Sequence, residues 1–127
     1  MKKIVLVATL TAALGVGLLQ IATAAITGNT IESTAALARH GTGAEVGVLL
    51  ACDETQRTWL RVTVNRGGSP AVAEGRASIV CTNELTRFGV DVHRRHARLT
   101  EGAATACVLA VTSDDSRQWC KEITLTD

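Results

Sequence analysis

The stretch Arg57-Thr58-Trp59-Leu60-Arg61-Val62-Thr63-Val64 decides the fold class. Leu60, Val62 and Val64 share one parity, while Arg57, Trp59, Arg61 and Thr63 share the other. Successive side chains of a strand point to opposite faces, so this alternation describes a half-buried β-strand with its aliphatic side on a core. A helix would group apolar residues three and four apart, and no run beyond residue 24 does so.

Working outward, the pattern repeats. Upstream, residues 45–52 place Val46, Val48, Leu50 and Cys52 on one face, and the polar turn Asp53-Glu54-Thr55-Gln56 follows. A weaker, Ala-rich stretch at 30–38 ends at the turn Arg39-His40-Gly41-Thr42-Gly43. Downstream, Asn65-Arg66-Gly67-Gly68-Ser69-Pro70 is a loop by composition. Residues 75–82 then put Ala77, Ile79 and Cys81 on one face, and Phe88, Val90 and Val92 alternate with Gly89, Asp91 and His93. Residues 104–112 and 118–125 flank the turn Ser113-Asp114-Asp115-Ser116-Arg117. About seven short strands separated by turns predict a single all-β domain. The expected architecture is an antiparallel two-sheet sandwich of immunoglobulin-like type, with a small β-barrel as the alternative.

Four cysteines, Cys52, Cys81, Cys107 and Cys120, lie within this pattern. No two are close enough for a zinc knuckle or a Cys-x-x-Cys redox pair, so an even count reads as two structural disulfides. Three connectivities exist. Symmetric pairing about the 113–117 turn sets Cys107 opposite Cys120, which favours Cys52–Cys81 with Cys107–Cys120. One conflict remains: an inward Trp119, Ile123 and Leu125 leave Cys120 on the other face, and a bulge or another connectivity would relieve it.

Lys2 and Lys3, an uncharged apolar run from residue 4, and Ala22-Thr23-Ala24 form the three parts of a cleavable secretory signal peptide over residues 1–24. The rival reading, a retained membrane anchor, has the length but lacks a following positive cluster. The expected mature domain, residues 25–127, is then secreted, extracellular and free of the membrane. Without Lys2 and Lys3, eleven of the thirteen Lys plus Arg remain against twelve Asp plus Glu. Nucleic-acid binding, which draws on a basic surplus, is not expected.

Several stretches resemble a group of small secreted actinobacterial proteins of uncharacterised function. They are Ala51-Cys52, Trp59-Leu60-Arg61-Val62-Thr63-Val64, Ala73-Glu74-Gly75-Arg76 leading to Cys81, Gly102-Ala103-Ala104 before Cys107-Val108-Leu109-Ala110, and Gln118-Trp119-Cys120-Lys121. They cover most of residues 44–125. The resemblance implies export and a β-sandwich, and it brings no catalytic or ligand-binding residues.

Chemistry-bearing motifs are scarce. His93-Arg94-Arg95-His96 is the densest cluster, but on a strand its histidines point to opposite sides. No nucleophile elbow, zincin motif or phosphate loop occurs. Asp53-Glu54 and Asp114-Asp115 read as solvated turn acids, without the alternating oxygen ligands of a calcium loop. No catalytic residue, cofactor or metal is therefore assigned. Trp59, flanked by Arg57 and Arg61 on the outward face, is the candidate partner contact. Two Trp, one Phe and no Tyr are too few aromatic rings for a sugar-binding platform. The expected function is non-catalytic binding of a protein or cell-envelope partner. The alternatives are a small hydrolase, an inhibitor displaying residues 65–70, and a sandwich carrying a small ligand.

Overall fold

The computed structural model describes residues 25–67 and 72–127. The proposed signal peptide and its helix lie outside the described residues, as do Gly68, Ser69 and Pro70 of the expected loop.

Among the described residues eight strands form, in the order β1 (Ile26–Ile31), β2 (Thr34–Leu37), β3 (Gly43–Cys52), β4 (Gln56–Asn65), β5 (Ala73–Cys81), β6 (Thr86–Arg94), β7 (Gly102–Val111) and β8 (Ser116–Thr126). A short 3-10 turn at Arg39–Gly41 links β2 to β3. The alternation that identified residues 57–64 as a strand holds: Leu60, Val62 and Val64 are buried in β4, and Arg57, Trp59 and Arg61 are exposed.

The architecture corrects the expected sandwich. Seven strands close a ring in the order β2, β3, β6, β5, β4, β7, β8, with β8 returning to β2. The fold is a β-barrel, not two separate sheets, and the immunoglobulin-like reading goes with the sandwich. Alternation cannot separate the two, because both bury every second residue. What separates them is the fate of the edge strands.

Two seams close the ring. At the first, β1 and β2 run along the same edge of β3, with a break at Glu32-Ser33. Beyond the break β2 also pairs in parallel with β8, Thr34 to Thr124, Ala35 to Leu125 and Ala36 to Thr126. Above it two side chains bridge the gap. Asp115 accepts a hydrogen bond from the Ile26 amide at 3.0 Å, and the Lys121 ammonium donates to the Ile31 carbonyl at 2.8 Å. At the second seam β5 pairs with β6 only through Ala73–Arg94 and Glu74–His93. Gly75 makes this approach feasible, since a Cβ there would collide with the Asp91 carbonyl oxygen of β6. Closing the ring removes the exposed edges that invite pairing with other chains.

The interior is filled by aliphatic side chains from every strand. Val46, Val48 and Leu50 meet Leu60, Val62, Val90, Val92 and Val108, all essentially inaccessible. On β7 the inward row is mostly small: Ala104, Ala106 and Ala110 around Val108. Burial of each larger side chain is worth about 1.5–3 kcal/mol, so the packed barrel itself carries the fold.

Both favoured disulfides are present, Cys52–Cys81 and Cys107–Cys120. The conflict over Cys120 dissolves without a bulge. The β7–β8 register runs unbroken from Gly102–Leu125 to Val111–Ser116, and Cys107 sits directly opposite Cys120. Both point outward, so Cys120 does lie on the face opposite Ile123 and Leu125, and neither a bulge nor another connectivity is needed.

Candidate functional site

The outer face of β4, with β5 and β7 on either side, presents the residues singled out from the sequence. Trp59 pairs across the ladders with Ser78 of β5 and Val111 of β7. Val80, two residues beyond Ser78, stands opposite Arg57. The exposures are 60% for Trp59, 49% for Val80 and 37% for Val111. Three large apolar side chains therefore lie as neighbours on a hydrogen-bonded sheet, where ordering them costs little further entropy.

The two arginines beside Trp59 behave differently. Arg57 reaches Ser78 Oγ at 3.3 Å and has no carboxylate partner among the described residues. Arg61 turns toward Glu74, with Nε 2.8 Å from Oε2. Arg95 holds the other carboxylate oxygen at 2.6 Å, and Arg76 approaches Oε2 at 3.4 Å. The side chain of Glu74 is only 15% exposed under these three guanidinium groups. The hydrogen bond from Arg61, aided by all three positive charges, holds its carboxyl below the ordinary 4.5. One carboxylate faces three cations, so the patch keeps a positive balance. Beside it, a shallow depression of about 280 Å³ is lined by Arg61, Thr63, Leu109, Gln118 and the outward Cys107.

The other sequence candidates do not converge. His93 lies exposed on β6, paired with Gly43 of β3 and Glu74 of β5, while His96 sits in the loop beyond the strand end. Among the described residues no group of three or more His, Cys, Asp and Glu is placed to hold a metal ion. Asp53 and Glu54 are exposed in the β3–β4 turn.

Asp115 is the residue that sequence reasoning undervalued. Its carboxylate accepts from the Ile26 and Ser116 amides, at 3.0 and 2.8 Å, and Arg117 lies 3.4 Å away. The Ile26 bond, then the Ser116 bond and Arg117, lower its pKa from the ordinary 3.8. The usable signal was Thr112 three residues earlier. Its Oγ1 accepts from the Asp114 and Asp115 amides and builds a side-chain-stabilised turn. Asp115 is thus a structural clasp rather than a solvated acid.

No protein-family model matches the chain, and no curated protein matches it either. The reading of the surface rests on its own chemistry.

Proposed function

We propose that this is an exported, oxidised, non-catalytic β-barrel that binds a protein or cell-envelope partner through the outer face of β4. One observation carries the reading: Trp59 stands 60% exposed on a rigid sheet, next to the exposed Val80 and Val111. Tryptophan and arginine are the residues most enriched among those that dominate binding energy, and a Trp rooted on a sheet has only two side-chain torsions to order on contact. Arg57 supplies a charge that no carboxylate engages among the described residues, and Arg61 fixes the border toward Glu74. Export is supported by the leader of residues 1–24, by the resemblance to secreted actinobacterial proteins and by two disulfides, which persist in oxidising compartments.

The test is affinity capture from culture supernatant and cell envelope on the immobilised, oxidised protein. A partner retained by the native surface and lost with Trp59→Ser supports the assignment. Equal retention by Trp59→Ser, or turnover in a broad hydrolase screen, overturns it.

A further inference from the structure

The antiparallel barrel sorts charges that look interleaved along the chain. The β3–β4, β5–β6 and β7–β8 turns share one end, and they carry Asp53, Glu54, Glu84, Asp114 and Asp115. The β2–β3, β4–β5 and β6–β7 connections share the other. That end holds Arg39, Arg66, Arg94, Arg95 and Arg98, with His40 and His96 among them, against the acids Glu74, Glu101 and Asp127, of which Glu74 is engaged by Arg95. The first end is thus richer in acids, although Arg57, Arg87 and Arg117 stand near it, and the second, with five arginines to three acids, is the basic end.

At the basic end the cations are held outward. Arg39, Arg94 and Arg98 are exposed, and among the described residues none has a carboxylate within 4.0 Å. Arg66 is fixed by the Thr100 carbonyl at 2.7 Å and the Thr100 hydroxyl at 2.6 Å, again without a carboxylate. That hydroxyl accepts from Arg66 and still has its own proton to donate. Arg66, Arg98 and Thr100 line a depression of about 320 Å³ floored by Val72 and Leu99. The loops are anchored: the Leu99 amide donates to Gly41 and the Arg94 amide to Thr42, at 2.8 and 2.9 Å. Leu99 is buried against the core.

We propose that this basic end binds a linear, phosphate-bearing polymer without aromatic rings. Arginine suits phosphate because its planar fork donates two parallel hydrogen bonds while its charge stays fixed. Two features select the class of polyanion. The exposed large apolar residues Trp59, Val80, Leu85 and Val111 all lie away from this end, so among the described residues it carries no apolar wedge for a bilayer. Trp59, Phe88 and Trp119 sit in the opposite halves of their strands, so among the described residues the only rings offered to nucleobases at this end are the imidazoles of His40 and His96.

The test is binding of labelled inorganic polyphosphate to the oxidised protein, titrated across salt concentration. Counterion release lowers log K linearly with log salt, by about 0.7 per phosphate neutralised for a single strand. The variant Arg39→Ser/Arg94→Ser/Arg98→Ser is expected to melt as the native protein does, to bind at least tenfold more weakly and to flatten the salt slope by about 2. A control triple, Arg57→Ser/Arg87→Ser/Arg117→Ser, removes equal charge at the opposite end and leaves both values unchanged. An equal loss in the control overturns the proposal, as does absence of polyphosphate binding. So does preference for phosphatidylglycerol vesicles or single-stranded DNA over polyphosphate. Trp59→Ser binds polyphosphate normally, so this site and the β4 face stand or fall separately.

Discussion

The two disulfides occupy opposite surroundings. Cys52 and Cys81 are both fully buried, and they tie β3 to β5, strands that share no hydrogen-bonded ladder. Cys107–Cys120 lies on the outside and joins β7 to β8, strands already paired along their whole length. Chain entropy barely distinguishes them. With sequence separations of 29 and 13, the loop-closure costs differ by only about 0.7 kcal/mol. Their places in the barrel distinguish them instead. The inner bridge links strands that share no ladder, beside a single backbone hydrogen bond from the Cys52 amide to the Thr82 carbonyl, and it sits at the opposite end of β5 from the two residue pairs through which β5 meets β6. The outer bridge repeats a connection that the hairpin already makes.

Breaking the inner bridge is therefore expected to have the largest effect. Cys52→Ala/Cys81→Ala loses the cross-link and leaves space in a packed core, at about 4–5 kcal/mol. For a domain of this size that lowers the melting temperature by roughly 20 °C, read by circular dichroism. The outer pair comes next. Cys107→Ser/Cys120→Ser replaces exposed sulfur by hydroxyl on an intact ladder and costs about 1–2 kcal/mol, below the loop-entropy value. Under mild, non-denaturing reduction, alkylation and mass spectrometry should find Cys107 and Cys120 modified first, because attack needs access to sulfur. Equal melting losses in the two double variants, or prior modification of Cys52 and Cys81, would break the comparison.

The same contrast shows how much was legible in the sequence. Parity along residues 57–64 identified β4, its buried side and its exposed tryptophan, because alternation is a local property of one strand. Pairing Cys107 with Cys120 followed from the symmetry of a single hairpin. Barrel closure was not legible, since it depends on which distant edges meet. The β2–β8 parallel contact rests on an Ala-rich stretch with little pattern of its own, and the β5–β6 contact on the missing side chain of Gly75. The segregation of acidic turns from basic ones escaped for the same reason. It emerges only when alternate connections are assigned to alternate ends.

Acid sharpens the comparison with a smaller effect. The folded-state pKa values of Asp115 and Glu74 lie below their ordinary values of 3.8 and 4.5. The stability these carboxylates contribute is present above those ordinary values and is lost as pH falls through the lowered folded ones. The melting temperature should fall below about pH 4.5 and continue to fall below 3.8. Asp115→Asn should flatten the lower part of that profile, and Glu74→Gln the upper part. Asp115 holds the Ile26 amide, and Ile26 pairs with Cys52. Its protonation loosens the strand paired beside the inner bridge, so the rate at which a phosphine opens Cys52–Cys81, taken relative to Cys107–Cys120, should be higher at pH 3 than at pH 7. The already exposed outer bridge gains no such advantage. A profile that stays flat in Asp115→Asn and native protein alike would remove the clasp from the account.

The smallest effect is expected at Trp59, and it carries the inside–outside contrast down to adjacent residues. Leu60→Ala removes a buried side chain and should cost about 2–5 kcal/mol. Trp59→Ser, one position earlier and larger in volume, should move stability by no more than about 0.5 kcal/mol, because an exposed ring loses little on removal. Urea titrations of the two variants measure both numbers in the same units. A loss above 1.5 kcal/mol in Trp59→Ser makes the ring a cover for the β4–β7 ladder, and its place at a contact surface then has no support. A negligible loss leaves a large aromatic that the barrel does not need for its own stability, and a binding role accounts for such a residue where packing cannot.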